Sequence, residues 1–363
     1  LLVVSGKKLM SDPIIQLKNV KKYFPIRRGI LDALQGTPPL YLKAVDDISL
    51  DIQRGEVFGL AGESGSGKST LGRLAVRLHQ ASAGEVIFNG TRLNDLSERE
   101  MVAYRRQMQT IFQDPVASMN PRMSLLEGIG HGLKIHQMVS NQNDFEKRVG
   151  EMMEHVGLTP ARNYFNRFPH QLSGGQRQRA VIARALVLQP QFIMADEPIA
   201  MADVSVRAVL LDLMKRLQKE FNLTYLFITH DLSTAKYICD RIAIMYLGRI
   251  VEVSDIRQVY SRPSHPYTEA LLAAVPVPDP KKRKTHIQLP KGEIPNPINP
   301  PSGCTFHPRC PLAQEVCKRE VPQLRPLPEA PGHLVACHLR SGDHQHLDPA
   351  RAGQVAAPLL SSS

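Results

Sequence analysis

The chain has 363 residues, 42% of them hydrophobic and 22% charged, enough to bury one large domain and carry an appendage. No apolar run approaches the ~18 to 20 residues that cross a bilayer, so any membrane role is expected through partners. Lys and Arg number 45 against 34 Asp and Glu, a formal charge of +11, which suits nucleic acid or an anionic membrane leaflet. No helix-turn-helix or aromatic-basic RNA pattern accompanies it, so the reading is a surface near the inner leaflet and no nucleic-acid partner. Leu1 to Val4 is too short for a signal-peptide core and lacks a basic lead, with Met10 a candidate initiator, so a cytosolic chain is expected.

In chain order, residues 1–13 read as a tail. Ile14 to about Ile52 alternates in short β-like runs, with Gly29 and Gly36-Thr37-Pro38-Pro39 marking a loop between strands. The pair Tyr23-Phe24 offers an aromatic face within it. Val57 to Ala61 then reads as a buried strand, followed by Gly62-Glu63-Ser64-Gly65-Ser66-Gly67-Lys68-Ser69-Thr70, which matches G-x-x-x-x-G-K-[ST]. The glycines let backbone N–H groups close on phosphate oxygens. Lys68 would neutralise the β and γ phosphates, Ser69 would reach Mg²⁺, and the helix beginning near Ser69 would aim its positive end at the anion. Gly84 to Gly90 adds a turn-bounded strand. From about 97 to 170 the pattern turns helical, with Phe145, Val149, Met152, Met153 and Val156 on one face and Gly157 as C-cap.

Three further motifs follow. Leu172-Ser173-Gly174-Gly175-Gln176 would be a second helix-start anion site. Phe192 to Ala195 is an apolar strand ending in Asp196-Glu197, suited to a strand edge that opens on a ligand crevice. Thr224 to Ile228 is another apolar strand, with His230 just after it. Strands at Ile242 to Tyr246 and Ile250 to Val253 complete this region, with no internal repeat.

With the pentad LSGGQ at Leu172 to Gln176, the chain resembles the ATP-binding cassette (ABC) family. The resemblance implies an α/β fold: a phosphate-loop RecA-like core, an antiparallel β subdomain and a helical subdomain at about 97–170, within a cassette spanning 14–262. It implies that Asp196 holds Mg²⁺ with Ser69, that Glu197 is the general base, and that Gln113, in Ile111-Phe112-Gln113-Asp114-Pro115, reaches metal and water when the site closes. It also implies that His230 contacts the γ-phosphate, that Phe24, or else Tyr23, stacks on adenine, and that Ser173, Gly174, Gly175 and Gln176 serve the nucleotide of a partner cassette. The turn after Glu197 departs from the family's Ser-Ala-Leu-Asp: Ala200-Met201-Ala202-Asp203 keeps the aspartate and loses the serine, so the two sites of a dimer need not be equivalent.

Beyond residue 262, His265-Pro266-Tyr267-Thr268-Glu269-Ala270-Leu271-Leu272, Ala274 to Pro280 and Gly292 to Pro297 resemble the C-terminal extension of oligopeptide and dipeptide permease ATPases, F-type rather than D-type. An extension over 263–340 and a disordered tail over 341–363 are expected. Four of the five cysteines, Cys304, Cys310, Cys317 and Cys337, lie in the extension with spacing C-x5-C-x6-C-x19-C, while Cys239 reads as a packing residue. Metal ligation, zinc or a [4Fe–4S] cluster, and reduced structural thiols are the alternatives; the resemblance implies a cluster, acting as a clamp far from Lys68 and Glu197. His307 and His338 are flanking candidates.

The resemblance implies an ATP-hydrolysing subunit of a peptide importer on the cytoplasmic face of the inner membrane. Its expected partners are a D-type cassette, two membrane permease subunits and, indirectly, an extracytoplasmic solute-binding protein. Import of nickel or oligosaccharides is the near alternative. A soluble cassette acting on DNA or ribosomes is the distant one, against which stands the lack of a coiled-coil insertion or second cassette.

Overall fold

The computed structural model describes residues 12–26, 39–275 and 292–340. The expected loop at Gly29 and Gly36-Thr37-Pro38, the Pro276 to Pro280 run, residues 1–11 and the 341–363 tail lie outside the described residues. Two sheets organise the rest. The core sheet runs β11-β12-β10-β9-β3-β8-β7-β6, and a second sheet runs β2-β1-β4-β5, where β5 is the short strand Thr91–Arg92.

The centre of the core sheet is parallel: β3 (Val57–Ala61) lies between β8 (Thr224–Thr229) and β9 (Arg241–Tyr246), and β7 (Phe192–Asp196) between β8 and β6 (Met108–Ile111). These strands are apolar on both faces because both faces are covered. Ala61, Ile193, Ala195, Tyr225 and Phe227 point into one hydrophobic cluster, while Phe58, Leu60, Phe192, Met194, Leu226 and Ile228 point into the other. Alternation at a period of two thus builds two cores from single runs. One core is closed by the antiparallel strands β1 (Ile15–Pro25), β2 (Tyr41–Ile52) and β4 (Ala83–Phe88) together with α1 (Lys68–Ala75). The other is closed by helices later in the chain.

The 97–170 region is not helical throughout. It opens with α2 (Glu98–Gln107), started by a Ser97/Glu100 capping box. The chain then forms β6, whose buried Met108 and Ile111 join the sheet edge beside β7. Four residues are too few for periodicity to declare a strand; the neighbouring edge of β7 decides it. Next come α3 (Leu125–Ile135) and α4 (Gln142–His155). The expected face of α4 is buried through Phe145, Val149, Met152 and Met153, each full burial of such a side chain being worth about 2 kcal/mol. It ends as predicted: Gly157, at φ 78°, donates to Glu154 and Leu158 to Met153, the two bonds of a Schellman turn.

The extension is a structural part of the core sheet, which its proline density did not announce. Strand β10 (Arg249–Asp255) pairs with β12 (Ala330–Val335), and β12 with β11 (Arg325–Leu327). Beneath this seam Glu252, 0% exposed, accepts from Ser264 N–H at 2.9 Å and His265 N–H at 2.8 Å, and meets His333 Nε2 at 2.6 Å. A carboxylate is retained here because the folded chain supplies donors on both of its oxygens. Glu252→Gln sets an amide NH₂ against one of those donors in a dry site, and it is expected to cost about 2 to 3 kcal/mol in urea unfolding of the full chain.

Candidate active site

The phosphate loop leaves β3 and enters α1 in a shape only glycine permits. At Gly62 (φ 153°) a Cβ would lie 2.1 Å from Met245 O, and at Gly67 (φ 102°) 2.1 Å from Ala44 O. Gly65 is exposed, and a Cβ there would meet nothing within 4 Å. Gly67 caps α1 without a side-chain bond, which leaves the first-turn N–H groups available to an anion. The nearly buried Lys68 turns back: its Nζ donates to Gly62 O at 2.7 Å and Glu63 O at 2.8 Å. Burial holds the Lys68 pKa below the usual lysine range, against the pull of Glu197, Asp196 and Glu63. Ser64, Ser66 and Thr70 complete the loop, with Gly248 N–H donating to Ser66 O at 2.9 Å. The residues present fit a triphosphate: open donors, a lysine and a glycine-shaped cradle.

The strand ends β3, β7 and β8 bring the other polar residues here. Ser69 Oγ donates to Asp196 Oδ1 at 2.8 Å, a hydroxyl and a carboxylate that fit a Mg²⁺ ion. Glu197 has φ 48°, an uncommon left-handed backbone for a glutamate. Its N–H donates to Ile228 O at 2.9 Å, tying it to β8. Its carboxylate then lies between two expected partners: Gln113 Nε2 donates to Oε2 at 3.1 Å, and His230 Nδ1 is 2.8 Å from Oε1. Lys68, Ser69, Gln113, Asp196, Glu197 and His230 therefore form one constellation from four chain segments.

Ser173 stands apart from this network at the start of α5 (Gly174–Leu186). It caps that helix through a reciprocal box, its Oγ accepting from Gln176 N–H at 3.3 Å and Gln176 Oε1 accepting from Ser173 N–H at 3.0 Å. Ser173 and Gly174 are exposed, and a Cβ at Gly174 would meet nothing within 4 Å. Asp203 precedes α6 (Val204–Glu220) without a side-chain cap bond, and Met201 in the altered turn is 66% exposed. Tyr23 is engaged structurally, its hydroxyl donating to Asp46. The Phe24 ring meets His79 edge-on at 5.8 Å and lies 5.0 Å from Lys22 Nζ.

Two residues of this neighbourhood escaped sequence reasoning. Tyr267, in α9 (Pro266–Ala273), accepts at its hydroxyl from Glu63 N–H at 2.8 Å. Arg309 grips the Glu63 carboxylate with both terminal nitrogens, at 2.9 and 3.2 Å. The extension is therefore not remote from the phosphate loop, contrary to the expectation for its cysteines: Arg309 immediately precedes Cys310. The only sequence signal was the HPYT and HPRC texture itself, and spacing cannot say that it folds back by more than 200 residues.

The expected metal clamp is not assembled by these side chains. None of Cys304, Cys310, Cys317, Cys337 and buried Cys239 is in a disulfide. Among the described residues no group of three or more His, Cys, Asp or Glu stands ready to hold a metal ion. Burial pushes Cys304 up to about 11, and Cys310 and Cys337 up to about 12, favouring the neutral thiol over the ligating thiolate. His307 Nδ1 is 3.0 Å from Cys304 O and His338 Nε2 2.9 Å from Glu320 O, so both rings are engaged with backbone carbonyls. What fastens the extension here is strand addition and Glu252.

Fold and site together define a phosphate-loop nucleotide-binding cassette with the β-sheet and helical additions of the ABC type. The sequence profile of the ABC transporter family matches residues 45–200, and that of the oligopeptide/dipeptide transporter C-terminal region matches 251–317. The oligopeptide transport ATP-binding protein AppF of Bacillus subtilis is 46% identical over 91% of this chain and 98% of its own. YkfD of the same organism, which also carries an oligopeptide transport ATP-binding name, is 52% identical over 82% of this chain and 90% of its own. Among solved structures, the ATP-binding cassette MJ0796, dimeric and bound to ADP and Pi after hydrolysis, is 30% identical with a TM-score of 0.58, matching 67% of this chain and 99% of that one. The chain belongs to the ABC transporter ATPases of the oligopeptide/dipeptide permease family. Among the described residues, no helix is long and apolar enough to cross a membrane.

Burial holds the Asp196 carboxyl above the usual carboxylate range, with the Ser69 hydrogen bond and Arg73 opposing it. An acid whose folded pKa is raised binds its proton more tightly when folded, so ionising it at higher pH costs stability. Asp196→Asn keeps an acceptor for Ser69 and removes that cost. It is expected to raise the melting temperature of the nucleotide-free chain by a few degrees at pH 7, with the advantage shrinking as pH falls through the raised value. Melting scans from pH 8 to pH 4.5 check both sign and slope.

Proposed function

We propose that this chain is the ATP-hydrolysing subunit that energises import of dipeptides or oligopeptides through separate membrane permease subunits. Support comes from the paired matches to cassette and permease-type extension, and from the names its relatives carry. The observation that carries the chemistry is the Glu197 carboxylate between Gln113 and His230, beside the Ser69–Asp196 pair.

In this reading Lys68 and the first-turn N–H groups of α1 take the β and γ phosphates, and Phe24 stacks on adenine while Tyr23 braces the strand. Ser69, Asp196 and Gln113 would hold Mg²⁺, which when bound supplies charge neutralisation between the phosphates. Glu197 accepts a proton from the water that attacks the γ-phosphorus, and the ADP oxygen leaves. Both Glu197 oxygens are engaged by Gln113 and His230 in this arrangement, so closure on nucleotide would redirect those two side chains towards metal and γ-phosphate.

Ser173, Gly174, Gly175 and Gln176 would complete the site of a second cassette, since Ser173 and Lys68 of one chain serve different nucleotides. We assign that partner to a D-type sister. The turn Ala200-Met201-Ala202-Asp203, which keeps the aspartate and lacks the family's serine, supports unequal sites. An extracytoplasmic solute-binding protein would select the solute, and the pair would sit on the cytoplasmic face of the membrane, where the basic surface suits an anionic leaflet. The division that follows is a cassette at 14–262, with helices inserted at about 97–170, and an extension at 263–340. Import of nickel or oligosaccharides is the second reading, because the solute is chosen outside this chain.

Glu197→Gln keeps the shape and hydrogen-bonding reach of the side chain but cannot accept the proton. In the assembled transporter it is expected to hold ATP with near-normal affinity while turnover falls by roughly 100- to 1,000-fold. Steady-state hydrolysis within a few fold of the parent would remove Glu197 from the mechanism.

For Cys304, Cys310, Cys317 and Cys337 the finer proposal is a [4Fe–4S] cluster, with zinc as alternative. Its support is the sequence resemblance and the four cysteines of the extension, spaced C-x5-C-x6-C-x19-C. Anaerobic purification is expected to give brown protein with about four iron and four sulfide per chain. Colourless protein with stoichiometric zinc selects the alternative, and absence of both metals leaves packed thiols.

A further inference from the structure

Glu63 is held from inside the phosphate loop, where Ser66 N–H also donates to its carbonyl at 3.2 Å, and from outside it. Its carbonyl accepts from Lys68 Nζ at 2.8 Å, its N–H donates to the Tyr267 hydroxyl at 2.8 Å, and its carboxylate takes both terminal nitrogens of Arg309 at 2.9 and 3.2 Å. Tyr267 and Arg309 come from the extension. Neither is a loose surface contact. The Arg309 side chain is 9% exposed and its guanidinium lies 5.9 Å from both the Tyr246 and Phe306 ring centres. Tyr246, Tyr267 and Phe306 pack on one another at 4.7 to 5.4 Å and are almost wholly buried.

The arrangement has two physical consequences for a polyanionic ligand. A shift of the Glu63 peptide would carry with it one of the two short contacts that aim the Lys68 ammonium. An unpaired Glu63 carboxylate would also place a negative charge beside the loop that receives phosphates, where Coulomb repulsion is weakly screened. The bidentate fork of Arg309 fixes the first and cancels the second, and lysine lacks that fork.

We propose that Arg309 and Tyr267 are positioning residues of the ATP site: through Glu63 they set the place of Lys68 and neutralise a carboxylate that would otherwise oppose the triphosphate. The extension is then a working part of this chain's own nucleotide site as well as an addition to the sheet. This rests on the reading of Gly62 to Thr70 as the phosphate site.

The test titrates the purified full chain with MgATP, MgADP and AMP. Arg309→Gln is expected to weaken MgATP by about tenfold, MgADP by less and AMP by under about twofold, because the freed Glu63 charge acts on each added phosphate. Adding Glu63→Gln to Arg309→Gln removes that charge and is expected to restore MgATP affinity to within about threefold of the parent. A merely structural arginine would weaken all three nucleotides alike and would not be rescued; either of those results, or parent-like MgATP affinity in Arg309→Gln, overturns the proposal. If Arg309→Gln does not fold, Tyr267→Phe carries the test: it removes one hydroxyl and is expected to weaken MgATP about threefold, and no change overturns the proposal. Lys68→Ala, run in parallel, separates the two levels. Parent-like MgATP binding in Lys68→Ala refutes the phosphate-site reading itself, whereas loss there with parent-like Arg309→Gln refutes only the role of the extension.

Discussion

The structure depends on one demand: a loop of closely spaced donors and one nearly buried ammonium must keep the shape of a phosphate site. Like-oriented N–H dipoles and Lys68 repel one another, so the loop needs anchors outside itself. The carbonyls of Gly62 and Glu63 hold Lys68 from within. The β9–β10 turn holds Ser66 through Gly248, β2 closes on Gly67 at Ala44, and the extension holds Glu63. Three parts of the fold outside the loop thus meet it.

The parallel centre of the sheet does the corresponding work for the reacting groups. Because β3, β7 and β8 run the same way and end at the same edge, Lys68, Asp196, Glu197 and His230 are delivered to one place by strand register. Glu197 has a left-handed backbone, and its carboxylate meets Gln113 and His230. Such a residue persists where its surroundings overdetermine it, and the bond from Glu197 N–H to Ile228 O is part of that determination.

The extension changes the picture of the family fold most. Strand addition at β10 and the buried Glu252–His333 pair make it continuous with the catalytic sheet. Of its cysteines, Cys310 directly follows Arg309, the residue that grips Glu63 of the phosphate loop. The start of α5 is left open to solvent at Ser173 and Gly174.

The sequence alone determined the local chemistry. The glycines and lysine of 62–70, the carboxylates ending an apolar run, the LSGGQ cap and the Gly157 helix stop each depend on neighbours within a turn or a strand, so spacing reveals them. It also carried the alternating strands, because burial on two faces is written into every second residue. Tertiary structure decided what depends on distant partners: β6 became a strand because β7 offers an edge, and Glu252 was buried because Ser264, His265 and His333 satisfy it. Likewise Glu63 was paired because a proline-rich segment some 240 residues later folds back to meet it. Such contacts leave no period in the chain, since the energy that selects them exists only once both sides are folded.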